Sequence, residues 1–229
     1  MSKFYQAKTG SANQSQDFKK LKTDPSYTVI LIDKSGSMSS YTDEVIEGYN
    51  FVIDSLRNSK STREGAHFIT TVLFSDDYEI IQEMAKLSRT KGKDKIIPLT
   101  AGEAPNGNFY PLGTTALYDC LYDALESMLQ ILDIARDNGF YPKLNIALIS
   151  DGEDNVSVRK PESVRDIIMK LRAEEYLKVS TVLGLLDDKF TEDMLERLRK
   201  TLGFESSFPL SKSSKEFRRV FKEMSMLIS

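Results

Sequence analysis

The sequence predicts an α/β fold, with one doubly wound, mostly parallel central sheet of about six strands, an antiparallel edge strand, and helices on both faces. Two observations carry that prediction. Short apolar runs alternate along the chain with longer segments of helical periodicity, which is the pattern of right-handed βαβ crossovers. Runs such as Ile146-Ala147-Leu148-Ile149 are apolar without interruption, as strands covered on both faces are.

The elements follow in order. Met1 to Asp24 is polar, rich in Ser, Gln, Lys and Thr, and reads as a flexible arm ahead of a domain over 25–229. Tyr27 to Asp33 reads as a buried strand. Tyr41 to Leu56 places Val45, Ile46, Tyr49, Val52, Ile53 and Leu56 at helical spacing. His67 to Phe74 and Tyr78 to Met84 read as two strands joined by the turn Ser75-Asp76-Asp77, the antiparallel exception. Ala85 to Gly113, punctuated by Pro98, Gly102, Pro105, Gly107 and Pro111, reads as a long irregular loop, a length more often functional than accidental.

Thr115 to Asn138 is the longest helical pattern, with Gly139 as its stop. Leu144 to Ser150 is a strand, Pro161 to Glu175 a helix and Val179 to Leu186 a strand. Thr191 to Leu202 is a helix closed by Gly203, and Phe204 to Leu210 a short strand. Ser213 to Met226 is a final helix capped by Ser213.

Composition narrows the function classes. The 229 residues carry a formal net charge of -3, and acids interrupt basic clusters such as Lys91-Gly92-Lys93-Asp94-Lys95. That balance argues against nucleic acid as a partner. A single cysteine, Cys120, forms no intramolecular disulfide and favours a reducing compartment. The opening residues carry no apolar leader, and no run approaches the length of a membrane span. The expected location is the cytoplasm.

Chemistry concentrates at strand ends. Asp33, Ser35 and Ser37 leave the first strand with one carboxylate and two hydroxyls, and Gly36 lets the chain turn tightly between them. Thr114 and Thr115 open the long helix, and Asp151 follows another strand. In open α/β sheets, ligands bind outside the carboxyl ends of strands, so Asp33 and Asp151 share a rim. Two carboxylates with neutral hydroxyls suit a hard divalent cation, Mg²⁺ first and Mn²⁺ or Ca²⁺ as alternatives. No His/Cys cluster suggests zinc. Such a site leaves its ion electrophilic and able to take a carboxylate from a partner protein.

Asp33-x-Ser35-x-Ser37 after a strand, Gly113-Thr114-Thr115-Ala116-Leu117-Tyr118-Asp119 opening a helix, and Ser150-Asp151-Gly152 after another strand together resemble the von Willebrand factor type A (VWA) domain family. They match that family's metal-ion-dependent adhesion site in order and spacing over nearly the whole domain. The resemblance implies a Rossmann-like fold with a metal at its upper rim. Ser35, Ser37 and a threonine would bind it directly, with Asp33 and Asp151 bound directly or through water. Thr115 aligns best with the family's threonine and Thr114 is the alternative; Thr114 stands where many members have a second glycine. The chain resembles intracellular bacterial members, which implies work beside a MoxR-type AAA+ ATPase or a component of a stress or defence system. Resemblance to adhesive members further implies that the final helix shifts when the site engages a ligand.

The same residues have plainer roles to weigh. Asp33, Ser35 and the threonines could cap turns and helices. Glu153 and Asp154 read as solvated neighbours of Asp151, Asp187-Asp188 as a helix cap, Cys120 as a small buried hydrophobe, and His67 as structural or exposed. Catalysis is not expected. Ser35 stands where a phosphoaspartyl hydrolase would carry its second Asp, and neither Gly-x-Gly-x-x-Gly nor Gly-x-Ser-x-Gly occurs. The alternatives to a binding module are a Mg²⁺-dependent hydrolase using the same residues and a scaffold with a structural metal.

Overall fold

The most apolar runs of the chain lie at the centre of the sheet. The computed structural model describes residues 21–210 and 214–228. Strands β1 (Ser26–Asp33), β2 (His67–Phe74), β3 (Tyr78–Lys86), β4 (Lys143–Ser150), β5 (Leu177–Leu185) and β6 (Ser206–Leu210) form one sheet of order β3-β2-β1-β4-β5-β6. Every pairing is parallel except β2 with β3. The expected fold class is the one observed.

Alternate residues of β1 point to opposite faces, and both faces are covered. Val29 and Leu31 join one apolar cluster with the helices α3 (Leu117–Asp137), α4 (Pro161–Ala173) and α5 (Glu192–Leu202). Ile30 and Ile32 join a second cluster with α1 (Thr42–Leu56) and α6 (Ser214–Ile228). A four-residue helix, α2 (Lys60–Arg63), precedes β2. Gly48 of α1 marks the closest approach in the second layer: a Cβ there would come within 2.3 Å of the Phe221 ring on α6. Among the described residues no helix is long and apolar enough to cross a membrane.

Several boundaries differ from expectation. A 3-10 helix over Gly36–Tyr41 follows β1, pinned by the fully buried Met38. Strand β3 runs to Lys86, beyond Met84. The long loop therefore starts at Leu87, and it is anchored by the buried Leu87, Leu99 and Phe109. Of the expected arm, residues 1–20 lie outside the described residues, as does the expected cap Ser213. Asp24 accepts the Tyr141 amide at 2.9 Å, which ties the chain down just before β1.

The chain runs outward from β1 to β2 and β3, then returns to place β4 on the other side of β1. That reversal puts the topological switch point between β1 and β4, at whose carboxyl ends Asp33 and Asp151 stand.

Candidate metal centre

Asp33 closes β1 with no exposed surface, and both its carboxylate oxygens are held. Oδ1 accepts the Ser35 amide at 2.8 Å, and Oδ2 accepts the Ser150 hydroxyl at 2.8 Å. Ser35 is buried, and its Oγ lies 3.1 Å from that of the exposed Ser37. The Ser37 side chain also favours the charged form of the buried Asp151 carboxylate. The first and third segments are thus already joined through side chains.

The threonine segment is stitched to the first by backbone. The Leu112 amide donates to the Lys34 carbonyl at 2.8 Å, and the Gly36 amide to the Gly113 carbonyl at 3.1 Å. Gly113 sits at φ +86°, a left-handed conformation that favours glycine, and a Cβ there would come within 2.9 Å of the exposed Asp76 Oδ1. Thr115 follows, buried, and its Oγ1 has no hydrogen-bond partner. Thr114 is exposed.

The third segment grips the second. Asn155 Oδ1 accepts the Thr115 amide at 3.0 Å, and the Asn155 amide donates to the Thr115 carbonyl at 2.9 Å. Asp154 is not a solvated neighbour. Its Oδ1 accepts the Leu117 amide at 2.9 Å, while Ser157 Oγ accepts the amides of Tyr118 and Asp119 at 3.1 and 3.2 Å. These two residues cap α3, whose own N-cap position is Ala116 and offers no side-chain cap. The expectation that a threonine caps this helix is corrected for that reason. With the cap supplied from across the rim, the Thr115 hydroxyl is released from local duty.

Other readings resolve simply. Asp187 accepts the amides of Lys189 and Phe190 at 2.7 Å each, closing a turn before α5, whose N-cap position is Thr191. His67 is fully buried at the opposite end of the sheet, among the hydroxyls of Thr28, Ser59, Ser61 and Thr62. Cys120 is buried.

Burial pushes the Asp33 carboxyl up to about 7, with the nearby Asp151 charge adding to the effect and the bonds from Ser35 and Ser150 opposing it. Burial also raises Asp151, against the hydrogen bond from Ser37. The strongest influences on both groups are burial, hydrogen bonds and other acids, with no basic side chain among them. Lys34, the nearest cation in sequence, pairs instead with Glu79 at 3.2 Å. Among the described residues no three His, Cys, Asp or Glu side chains are grouped to hold a metal. A cation here would therefore draw on two carboxylates and on hydroxyls. The donor set fits a hard divalent ion: it is all oxygen, it carries two uncompensated carboxyls, and it includes a buried hydroxyl with nothing to bond.

Strand order and rim together define a VWA-like fold. The mussel byssus proximal thread matrix protein 1, solved with a zinc-occupied MIDAS motif, is 16% identical with a TM-score of 0.56, over 90% of this chain and 48% of that one. Manganese-loaded TRAP of Plasmodium vivax is 16% identical with a TM-score of 0.54, over 88% and 74%. VWA2, the ArnB paralog of Sulfolobus acidocaldarius, is 17% identical with a TM-score of 0.51, over 88% and 45%. This chain spans about half the length of the mussel and Sulfolobus proteins. No family model matches the sequence, and no curated protein matches it.

Proposed function

We propose that this chain is a protein-interaction module whose rim holds a divalent cation through Ser35, Ser37 and Thr115, with Asp33 and Asp151 bound directly or through water. The observation that carries the reading is the Thr115 hydroxyl, buried and unpartnered on a rim that also holds two buried carboxyls. A buried hydroxyl with no partner costs about 1–3 kcal/mol, and a cation at the rim would give this one a partner. When bound, the cation would supply a Lewis-acid position at which an Asp or Glu of a partner protein completes the coordination.

The chain's own residues do the rest. Ser150 and the Ser35 amide fix the direction of the Asp33 carboxylate. Asn155 clamps the backbone of Thr115 on both sides. Around these segments Tyr110, Leu112, Val156 and Val158 are exposed, and apolar surface of this kind at a polar rim suits a protein surface better than a small substrate. The zinc- and manganese-loaded neighbours support a divalent ion in general. Mg²⁺ as that ion, a cytoplasmic bacterial setting and a MoxR-type ATPase or other system component as partner belong to the same proposal, resting on the sequence resemblance.

Calorimetric titration tests it. Mg²⁺ should bind the wild-type chain and not Asp33→Ala. Absence of binding by Mg²⁺, Mn²⁺ and Ca²⁺ to the wild type overturns the reading. Metal-dependent phosphoester turnover that Asp151→Ala abolishes would replace it with a hydrolase.

A further inference from the structure

Beside the rim lies a cavity of about 400 Å³ that the metal site leaves unused. The turn after β1, the β2–β3 turn with the start of β3, and the loop before α3 wall it with Lys34, Asp76, Glu79, Glu103, Tyr110 and Leu112. It adjoins the metal residues directly. Lys34 follows Asp33, and Gly113, also in the wall, is bonded to Gly36 and lies two residues before Thr115.

The lining combines two characters. Tyr110 and Leu112 are 50% and 63% exposed and give an apolar flank. The wall carries three carboxylates to one ammonium; Glu79 engages that ammonium at 3.2 Å, and Asp76 Oδ1 accepts the Ser75 hydroxyl at 3.1 Å. Asp76 and Glu103 are exposed at this wall. An acidic side chain entering here would be repelled, and an apolar one would strip water from carboxylates without replacing it. A lysine or arginine satisfies both features, since its stem packs on an apolar flank and its head takes charge-assisted hydrogen bonds. For arginine, stacking on Tyr110 adds a cation–π contact.

We propose that this cavity receives a lysine or arginine that the partner carries within a few residues of its metal-seeking carboxylate. The inference rests on the metal-carboxylate reading, because the rim fixes where the partner chain lies. The recognised motif is then a mixed-charge segment, an acid for the cation and a base for the cavity.

Immobilised octapeptides supply the test, each with one Asp and a nearby Lys, Arg, Leu or Glu. The full chain is applied in Mg²⁺ and in EDTA as wild type, Asp33→Ala, and the double variant Asp76→Asn/Glu103→Gln. Both double-variant positions are exposed and conservatively changed, and a thermal melt verifies folding. The expected result is Mg²⁺-dependent retention in which Lys and Arg peptides exceed Glu peptides about fivefold, the scale of two partly exposed ion pairs. The double variant should keep Mg²⁺-dependent retention and lose that preference. Retention indifferent to the neighbour, or a preference that survives the double variant, overturns the inference while leaving the metal reading intact. No Asp peptide held in Mg²⁺ above EDTA, or equal retention by Asp33→Ala, overturns both.

Discussion

At the scale of single residues the site turns on two adjacent threonines. Thr115 is buried with an idle hydroxyl, and Thr114 is exposed. Replacing Thr115 with valine keeps the shape and removes an oxygen that bonds to nothing in the protein. Thr115→Val should therefore leave metal-free stability unchanged or raise it by about 1 kcal/mol, since an unmet buried hydroxyl is a cost. The same variant should lose the Mg²⁺-induced rise in Tm, whereas Thr114→Val should keep it. Melts in EDTA and in Mg²⁺ check both halves, and the opposite pattern moves the ligand to Thr114. Sequence spacing favoured Thr115 through alignment alone. What separates the two physically is the clamp from Asn155, a residue that no local motif marks.

Among elements, the capping of α3 and the packing of α6 give the clearest tests. Asp154 caps α3 from 37 residues away. Asp154→Ala should cost about 1 kcal/mol, the usual loss of an N-cap. It should also raise amide exchange at the start of α3 before it affects the sheet. Gly48→Ala would drive a methyl into the Phe221 ring, so α6 must move or α1 must bend. Overpacking of this kind costs about 1–3 kcal/mol, and exchange in α6 should rise more than in α3. Normal protection of α6 in that variant would mean that the ring gives way freely.

These elements also show where sequence reasoning succeeds. Strands β1 and β4 were legible because continuous apolar runs such as Val29-Ile30-Leu31-Ile32 and Ile146-Ala147-Leu148-Ile149 have one outcome in a two-sided sheet. Two of the three rim segments were legible because their oxygens lie within a few residues of the ends of β1 and β4, and the third because its threonines open the longest helical pattern. The start of α3 was misplaced at Thr115 because its caps, Asp154 and Ser157, are distant in sequence. The course of the long loop was not legible either. Its anchors Leu87, Leu99 and Phe109 follow no period, and only packing against the second apolar cluster selects them.

Across the whole molecule, the two ends of the sheet impose opposite responses to pH. Burial holds the His67 ring near 4, below the usual 6.5, and the Lys178 charge adds to the effect. With its folded value depressed, His67 contributes stability above pH 6.5 that is lost as pH falls towards 4. Asp33 behaves inversely. Its folded value of about 7 lies above the usual 3.8, so its contribution is full below pH 3.8 and is lost as pH rises to 7. Each shift corresponds to about 3–4 kcal/mol at its limit.

A cation at the rim requires Asp33 ionised, so proton and metal compete there. The Mg²⁺-induced rise in Tm should accordingly be small at pH 5 and grow through pH 7. Once the metal saturates the rim, Asp33 no longer favours acid, and the acid sensitivity of His67 should dominate the stability profile. In His67→Gln the metal-bound profile should lose that acid arm, while the growth of the Mg²⁺ increment with pH persists, because the two groups sit at opposite ends of the sheet. Melts of both proteins from pH 4.5 to 7.5, with and without Mg²⁺, check this. An increment equal at pH 5 and pH 7 would mean that the cation does not displace the proton of Asp33, and the rim would then not be its binding site.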